Sequence, residues 1–528
     1  MGSRRIASSL VVSLAIALAL VPTPGRAGAP DPAGPEEAGF RTDPLAAGLP
    51  RATTTRLVPR LSIFGPGPAS GGGGGALGSA AGIAAGPDFD ALTSSTTSPA
   101  DPTGAIGRSA IVAAVNTKVA VYRRDGTLID GPTSLNRITS ALRGLNQTDP
   151  KVVYDPYEDL FLLVFLTYDD RNGFIDVVTI PGATAANRST WCVLHMNGDQ
   201  VRGDGKQFAD YPSVGFTRDR VTVSTNNFDF RRLSRFRYVQ LVSFTKRSLY
   251  DDPDCNDTIR PTVLAGDATR DPDGSRAFTI QPATSIGPTG SSQWLTSIDL
   301  ERRRSSLVLW RLAPSGGRLR LTGRAHRIGS IRVPPLGRQC GGTPGEDNHA
   351  WDTGDTRLIN AWFDGNANRV YAAHAVRRNA GGGAVESAVR WYELRPANRL
   401  GRSRLTRTGQ IAVANADLAW PSIATDRAGT VFLNYSRAAA GECLGIWGAA
   451  VDRGTTSADA ALLFPGEARY EFTGPGGADG GLERWGDYSA IARDPRRGSR
   501  MLFFNVYASG GGATTDTFTQ RVTFVTSG

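Results

Sequence analysis

A weak unit recurs along this chain, and it limits the fold more than any other feature. Each copy opens on a polar residue, usually Asp. A small or apolar stretch follows, then a turn, then an apolar run of strand length. The copies begin Asp101-Pro-Thr-Gly-Ala-Ile, Asp149-Pro-Lys-Val-Val-Tyr, Asp210-Tyr-Pro-Ser-Val-Gly, Gln281-Pro-Ala-Thr-Ser-Ile, Asp355-Thr-Arg-Leu-Ile-Asn, Ala419-Trp-Pro-Ser-Ile-Ala and Asp487-Tyr-Ser-Ala-Ile-Ala. Turns such as Asp155-Pro-Tyr-Glu-Asp and Asp426-Arg-Ala-Gly come next, then runs such as Val431-Phe-Leu-Asn-Tyr and Met501-Leu-Phe-Phe-Asn. Runs of this length, rich in β-branched and aromatic residues and bounded by Gly, Pro, Asp or Asn, read as strands. No long segment carries a helical period, so the expectation is an all-β fold.

Repetition of a strand-rich unit predicts a β-propeller, with seven four-stranded blades; six or eight blades also fit. The repeat starts lie about 64 residues apart, against ~40–50 in compact propeller families, so the loops must be long. The last copy is too short for a full blade. Phe89-Asp-Ala-Leu92 is the candidate strand that would complete it from the N-terminal side and cover two open strand edges.

The N-terminus reads as an export signal. Arg4-Arg5 precedes a mostly apolar run from Ile6 to Val21 and a small-residue cleavage pattern at Ala27-Gly28-Ala29. Arg4-Arg5 suits twin-arginine export, although Ala7 stands where a bulky apolar residue is usual; general secretion fits as well. The expected organisation is a signal peptide over 1–29, an Ala/Gly/Pro-rich disordered leader over 30–87, and a propeller domain over 88–528. No later stretch approaches the ~18 apolar residues of a membrane span. The expected product is secreted and monomeric, with no membrane span. Cys192, Cys255, Cys340 and Cys443 should pair in an oxidising compartment, and three connectivities are open.

The formal net charge is +10, almost all of it from arginine. The arginines are scattered along the sequence and no nucleic-acid reading module accompanies them. They read as solvated surface, with no nucleic-acid partner.

Several stretches resemble a poorly characterised group of secreted bacterial propeller proteins, loosely related to sialidase-like propellers. They are Asp101-Pro-Thr-Gly-Ala-Ile-Gly107, Asp210-Tyr-Pro-Ser-Val-Gly215 with Ser224-Thr-Asn-Asn-Phe228, Val389-Arg-Trp-Tyr-Glu-Leu394 and Arg484-Trp-Gly-Asp-Tyr-Ser489. The resemblance spans roughly residues 88 to 528 and implies the propeller fold and export. Sialidase Asp boxes are not matched, because Asp426-Arg-Ala-Gly-Thr-Val-Phe432 is one residue too long between Asp and Gly.

If each copy begins at one mouth of a central channel, Asp101, Asp149, Asp210, Asp355 and Asp487 converge there. Two functions compete. In one, the mouth binds a glycan or a protein partner, with Tyr211, Trp420, Trp485 and Tyr488 as a stacking platform and Asn226, Asn227 and Arg484 bonding hydroxyls. In the other, the chain is a glycoside hydrolase or lyase that uses Asp210 and Asp487 as its carboxylate pair. A structural envelope protein, its mouth plugged by side chains, is a third reading. The bland reading of each Asp is a turn cap bonding nearby backbone N–H groups, and that of each Trp is packing between blades. No cofactor is required. Ca²⁺ is an option at the mouth, in Asp251-Asp-Pro-Asp-Cys-Asn-Asp257 or in Asp271-Pro-Asp-Gly274, none of which has EF-hand spacing. No Gly-x-Ser-x-Gly, His-Glu-x-x-His or Walker motif occurs. His195, His326, His349 and His374 are isolated.

Overall fold

The computed structural model describes residues 52–56, 82–203, 205–230, 232–251, 255, 258–300, 305–341, 350–381, 384–474 and 482–528. The signal peptide, the Gly71–Gly75 run, His349 and most of the acidic stretch 251–257 lie outside the described residues. The all-β expectation holds: among the described residues, α-helix is confined to Lys246–Tyr250.

The strands form four-stranded antiparallel meanders. One runs through Thr103–Ile106, Ala110–Val115, Lys118–Arg123 and Leu128–Ser134. The next comprises Asn146–Asp155, Leu160–Tyr168, Gly173–Pro181 and Cys192–Asn197, extended to six strands by Ala52–Arg56 and Thr258–Ile259, and a third Gln207–Phe216, Arg220–Asp229, Arg232–Thr245 and Thr262–Leu264. Then come Gln281–Ile286, Gln293–Leu300, Ser305–Ser315 and Arg318–Gly329, followed by Asn360–Asp364, Arg369–Gly381, Ala384–Arg395 and Arg404–Ile411. Ala416–Thr425, Val431–Ala439, Glu442–Val451 and Asp459–Phe464 make another. In the C-terminal meander, Ala490–Arg493, Arg500–Ala508 and Phe518–Thr526 are followed in space by Ala84–Ser94, which contains Phe89–Leu92.

Burial explains the composition of each strand. Inner strands are covered on both faces, so Leu160–Tyr168 reads as one apolar run. Outer strands alternate, as in Arg404–Ile411, where odd positions tuck in and even positions face water. The N-terminal strand is held by more than its ladder. Arg521 bonds Asp88 at 2.8 Å and Asp90 at 2.7 Å, and Phe89 packs on Tyr122 with ring centres 5.0 Å apart.

The leading strands of successive meanders touch in chain order, and Ala490–Arg493 also touches Thr103–Ile106. Two of these contacts are parallel ladders, Phe216 opposite Thr284 and Ala283 opposite Ala361. The approach is close enough to demand glycine. A Cβ on Gly215 would lie 2.5 Å from the carbonyl oxygens of Pro282 and Ala283. Elsewhere, side chains tie the leading strands together. Val152 N–H donates to Thr103 Oγ1 (2.9 Å), Gln281 Nε2 to the Leu358 carbonyl (2.8 Å), and Asn360 Nδ2 to the Ile423 carbonyl (2.9 Å). Ser489 Oγ bonds the Trp420 carbonyl (2.7 Å).

Both disulfides are formed, Cys192–Cys255 and Cys340–Cys443. The second pins the stretch around Cys340 across the 416–464 meander. Arg338 Nε on Asp417 (2.8 Å) and Gln339 Nε2 on the Tyr470 carbonyl (2.9 Å) hold the same stretch. Among the described residues, no helix is long and apolar enough to cross a membrane.

Candidate functional site at the head of the leading strands

The repeat register differs from the sequence alignment by one residue in two copies. Asp101, Asp149, Tyr211 and Trp420 share a positive φ (48°, 58°, 54° and 55°), and each stands directly before a proline. The ladders are irregular at this point in the three longer strands, between Thr148 and Lys151, Asp210 and Ser213, and Ala419 and Ser422. In these four copies proline marks the register, not Asp; in the copy containing Gln281-Pro282 the positive φ falls at Thr279. Proline cannot donate to the ladder, and the residue before it is barred from the right-handed helical region. Asp210 sits one step ahead of the position held by Asp101 and Asp149.

Asp101 and Asp149 act as ties between neighbouring units. Asp101 Oδ1 accepts from Asp487 N–H (2.7 Å) and Oδ2 from Asn116 Nδ2 (2.5 Å). Asp149 Oδ2 accepts from Tyr211 N–H (3.2 Å) and from the Tyr488 hydroxyl (3.0 Å). Their bonds to backbone run to a neighbouring unit rather than to their own turn. The other carboxylates meet cations. Asp355 makes a two-pronged pair with Arg357 (2.8 and 2.6 Å). Arg484 donates to Asp487 (2.8 Å) and lies 3.5 Å from Asp352. Asp352, Asp355 and Asp487 keep side-chain exposures of 21, 19 and 20 %, so this group faces the opening.

Lys151, Arg357 and Asp352 were not singled out from sequence. Lys151 had a weak signal: it is one of very few lysines and stands two residues after a repeat start. Asp352 stood out only as a neighbour of His349 and Trp351, and Arg357 carried no signal. Beneath the charged layer, a cavity of about 60 Å³ is lined by Thr103, Lys151, Ser213, Gln281, Asn360 and Ala490, one from each of six leading strands. Lys151 is the charged member of that set.

The aromatic residues do not form an open platform. Tyr211 and Tyr488 stack on each other with ring centres 4.6 Å apart. Lys151 Nζ covers the Tyr488 ring at 3.3 Å, and the Arg357 guanidinium covers Tyr211 at 4.3 Å. Trp420 is 4 % exposed and donates to the Asp352 carbonyl (2.9 Å). Trp485 is buried edge-on against Tyr470. Asn226 is used up on Thr279 (2.7 and 2.9 Å), and Asn227 bonds the Gly198 carbonyl and Thr225. With ring faces covered and amides spent, these residues build the walls. The groups left for a ligand are Asp210, Asp352, Asp355, Asp487, Arg357 and Arg484.

Crowding of acids in a buried layer governs their protonation. Burial, then the Asp149 charge, pushes Asp210 up to about 8, although Arg357 pulls the other way. Burial, then Asp487, holds Asp101 well above the usual carboxylate range, and burial raises Asp149 and Asp352. Burial would raise Asp355 too, but the Arg357 charge and its hydrogen bonds outweigh it and hold that carboxyl low. Burial drops Lys151 to about 7 against the pull of Asp101, Asp149 and Asp487.

These directions set a pH dependence. Between its ordinary 3.8 and about 8, Asp210 holds a proton in the folded chain and none in the unfolded one. Its contribution to stability is therefore lost as pH rises through that window. Lys151 works oppositely: from about 7 to 10.5 the unfolded chain is the more protonated, so stability rises with pH there. Asp210→Asn removes only the first effect. Its stability relative to wild type should be greater at pH 8 than at pH 5, by at least about 1 kcal/mol. Urea midpoints at the two pH values measure this; an unchanged difference would show that Asp210 holds no extra proton.

Other candidate groups have structural duties. His195 pairs with buried Asp176 (2.7 Å), and His374 bonds the Thr356 carbonyl and the Tyr392 hydroxyl. Asp273 caps Ser275 N–H (2.8 Å) within the 271–274 turn. Among the described residues, no group of three or more His, Cys, Asp or Glu side chains is placed to hold a metal ion.

No protein-family model matches the chain, and no curated protein matches it in sequence. Solved structures overlap it only loosely. A GH43 endo-arabinanase from Bacillus licheniformis is 12 % identical, covering 59 % of this chain and 98 % of its own, with a TM-score of 0.28. An α-L-arabinanase from Penicillium chrysogenum, complexed with arabinobiose, is 10 % identical over 83 % and 98 %, with a TM-score of 0.36. The Hadza microbial sialidase Hz136 is 14 % identical over 78 % and 73 %, with a TM-score of 0.35. Overlaps this loose carry no inference about activity.

Proposed function

We propose that this chain is an exported seven-bladed β-propeller, closed by the strand Ala84–Ser94, that binds a polyhydroxylated ligand at the channel mouth. The closed order of contacts among the leading strands supports the ring. The two disulfides suit an oxidising compartment outside the cytoplasm. One observation carries the binding reading. Asp210 stands among Asp352, Asp355, Asp487, Arg357 and Arg484, which mix donors and acceptors at one partly exposed opening. Sugar hydroxyls both donate and accept, so a glycan, or a polar segment of an extracellular protein, matches that set. Recognition would rest on hydrogen bonds rather than on ring stacking.

Glycan-array binding tests it. Asp487→Ala removes an acceptor and strips Arg484 of its nearest partner, so affinity should fall by about tenfold or more. Asp210→Ala should fall by a similar factor with the fold retained. Unchanged affinity in both variants would remove the mouth as the site.

A hydrolase reading has one observation in its favour. Asp210 is held protonated near neutral pH, as a general acid must be, while Asp487, held in place by Arg484, would be the second carboxylate. Asp210 would protonate the leaving oxygen and Asp487 would act as base or nucleophile. Release of reducing ends from polysaccharides, abolished in Asp210→Asn while binding persists, would favour this reading over simple binding.

A further inference from the structure

Five of the arginines that look scattered in sequence, Arg318, Arg320, Arg324, Arg399 and Arg402, lie on the outside of two neighbouring meanders. Residues 305–341 and 395–416 contain no Asp or Glu. Arg318–Gly329 is the outermost strand of its meander and pairs only with Ser305–Ser315. Along it, Leu319 and Leu321 pack toward a cluster containing Val239 and Trp310, while Ile328 packs with Phe363 and Tyr392. Side chains alternate along a strand, so Arg318, Arg320 and Arg324 lie on the side opposite Leu319 and Leu321, toward the 360–411 meander.

That meander comes close at this seam. Arg390 donates to the Ile328 carbonyl (2.9 Å), and Arg377 N–H to the Arg332 carbonyl (3.0 Å). A Cβ on Gly401 would lie 3.7 Å from Arg324 Nη1, which places Arg399 and Arg402 across from it. Arg318, Arg320, Arg324, Arg399 and Arg402 are exposed. Among the described residues none of the five enters an ion pair, whereas Arg357, Arg484, Arg500 and Arg521 each hold a carboxylate. The seam is therefore a row of guanidinium forks, about 7 Å apart for Arg318 and Arg320 on one strand, with no ion-pair partner among the described residues. Such forks match carboxylates in two-pronged pairs.

We propose that the seam between the 281–329 and 360–411 meanders binds an anionic polysaccharide with carboxylates on successive sugars. This does not depend on the mouth reading. A nucleic acid would supply anions too, but binding a single strand also uses aromatic faces for its bases. Among the described residues the exposed large hydrophobics are Leu128, Ile129 and Leu336, none of them aromatic.

The test is binding of the folded chain to polygalacturonate, with dextran and a single-stranded oligonucleotide as comparators, at low and high NaCl. Wild type should bind polygalacturonate at low salt, release it at high salt and ignore dextran. Arg320→Ser/Arg324→Ser/Arg402→Ser should lose about tenfold or more in affinity. A matched triple, Arg143→Ser/Arg171→Ser/Arg247→Ser, changes net charge equally at exposed sites elsewhere and should lose much less. All three seam positions are exposed, so folding should persist, as circular dichroism would verify. The proposal fails if wild type does not bind polygalacturonate, if the two triples lose affinity equally, or if the oligonucleotide binds more tightly.

Discussion

Trp485→Ala should lower the stability of this protein by about 3–5 kcal/mol, the range for truncating a fully buried large aromatic. The side chain is 1 % exposed. Its Nε1 donates to Ser436 Oγ (3.1 Å), and its ring meets Tyr470 edge-on at 4.9 Å. It shares a core cluster with Tyr488, Leu502 and Phe504. The surrounding strands tie to one another and cannot collapse into the vacated space, so most of the cavity cost should be felt. Urea unfolding followed by far-UV circular dichroism measures it. Folded variant protein should bind ligand at the mouth as wild type does, because the indole packs inward. A loss under about 1 kcal/mol would mean the ring does not pack as described.

Opening the Cys340–Cys443 link should cost about 2–5 kcal/mol. The two residues are separated by 103 positions. A cross-link over so long a loop removes much of the freedom of the unfolded chain while leaving the folded chain nearly unchanged. The double variant Cys340→Ser/Cys443→Ser keeps Arg338 on Asp417 and Gln339 on Tyr470. The stretch around residue 340 should therefore stay docked, and the loss should appear in the midpoint rather than in the native spectrum. Cys192→Ser/Cys255→Ser, at a separation of 63, should cost nearly as much, because closure entropy grows only with the logarithm of loop length. Unchanged midpoints in both double variants would rule out bridges in the wild-type protein.

The candidate site was legible in part. Asp101, Asp149, Asp210, Asp355, Asp487, Tyr211, Arg484 and Tyr488 do lie in one connected polar layer. Their roles were not legible. Asp101 and Asp149 look like Asp210 in sequence, yet they tie backbone across units while Asp210 faces the charges of Arg357 and Arg484. The difference comes from a one-residue offset relative to proline, and in a strand one step turns a side chain to the opposite face. Asp352 shows its role only through Arg484 and Trp420, and Arg357 only through its place over the Tyr211 ring, all of them distant in sequence. Arg324 and Arg402 are solvated surface, as expected, and only the approach of two meanders brings them near each other.

Read by itself, the chain determines its class. Strand-length apolar runs, turn residues and a recurring unit act over a few neighbours, so they are visible without coordinates, and so is Phe89–Leu92 as an unpaired strand. Tertiary structure alone decides which polar groups meet, which cysteines pair and which charges lack a partner. Asp101 reaches the backbone of Asp487 across 386 positions. Contacts of that kind depend on strand register and sheet order, which a single sequence does not display.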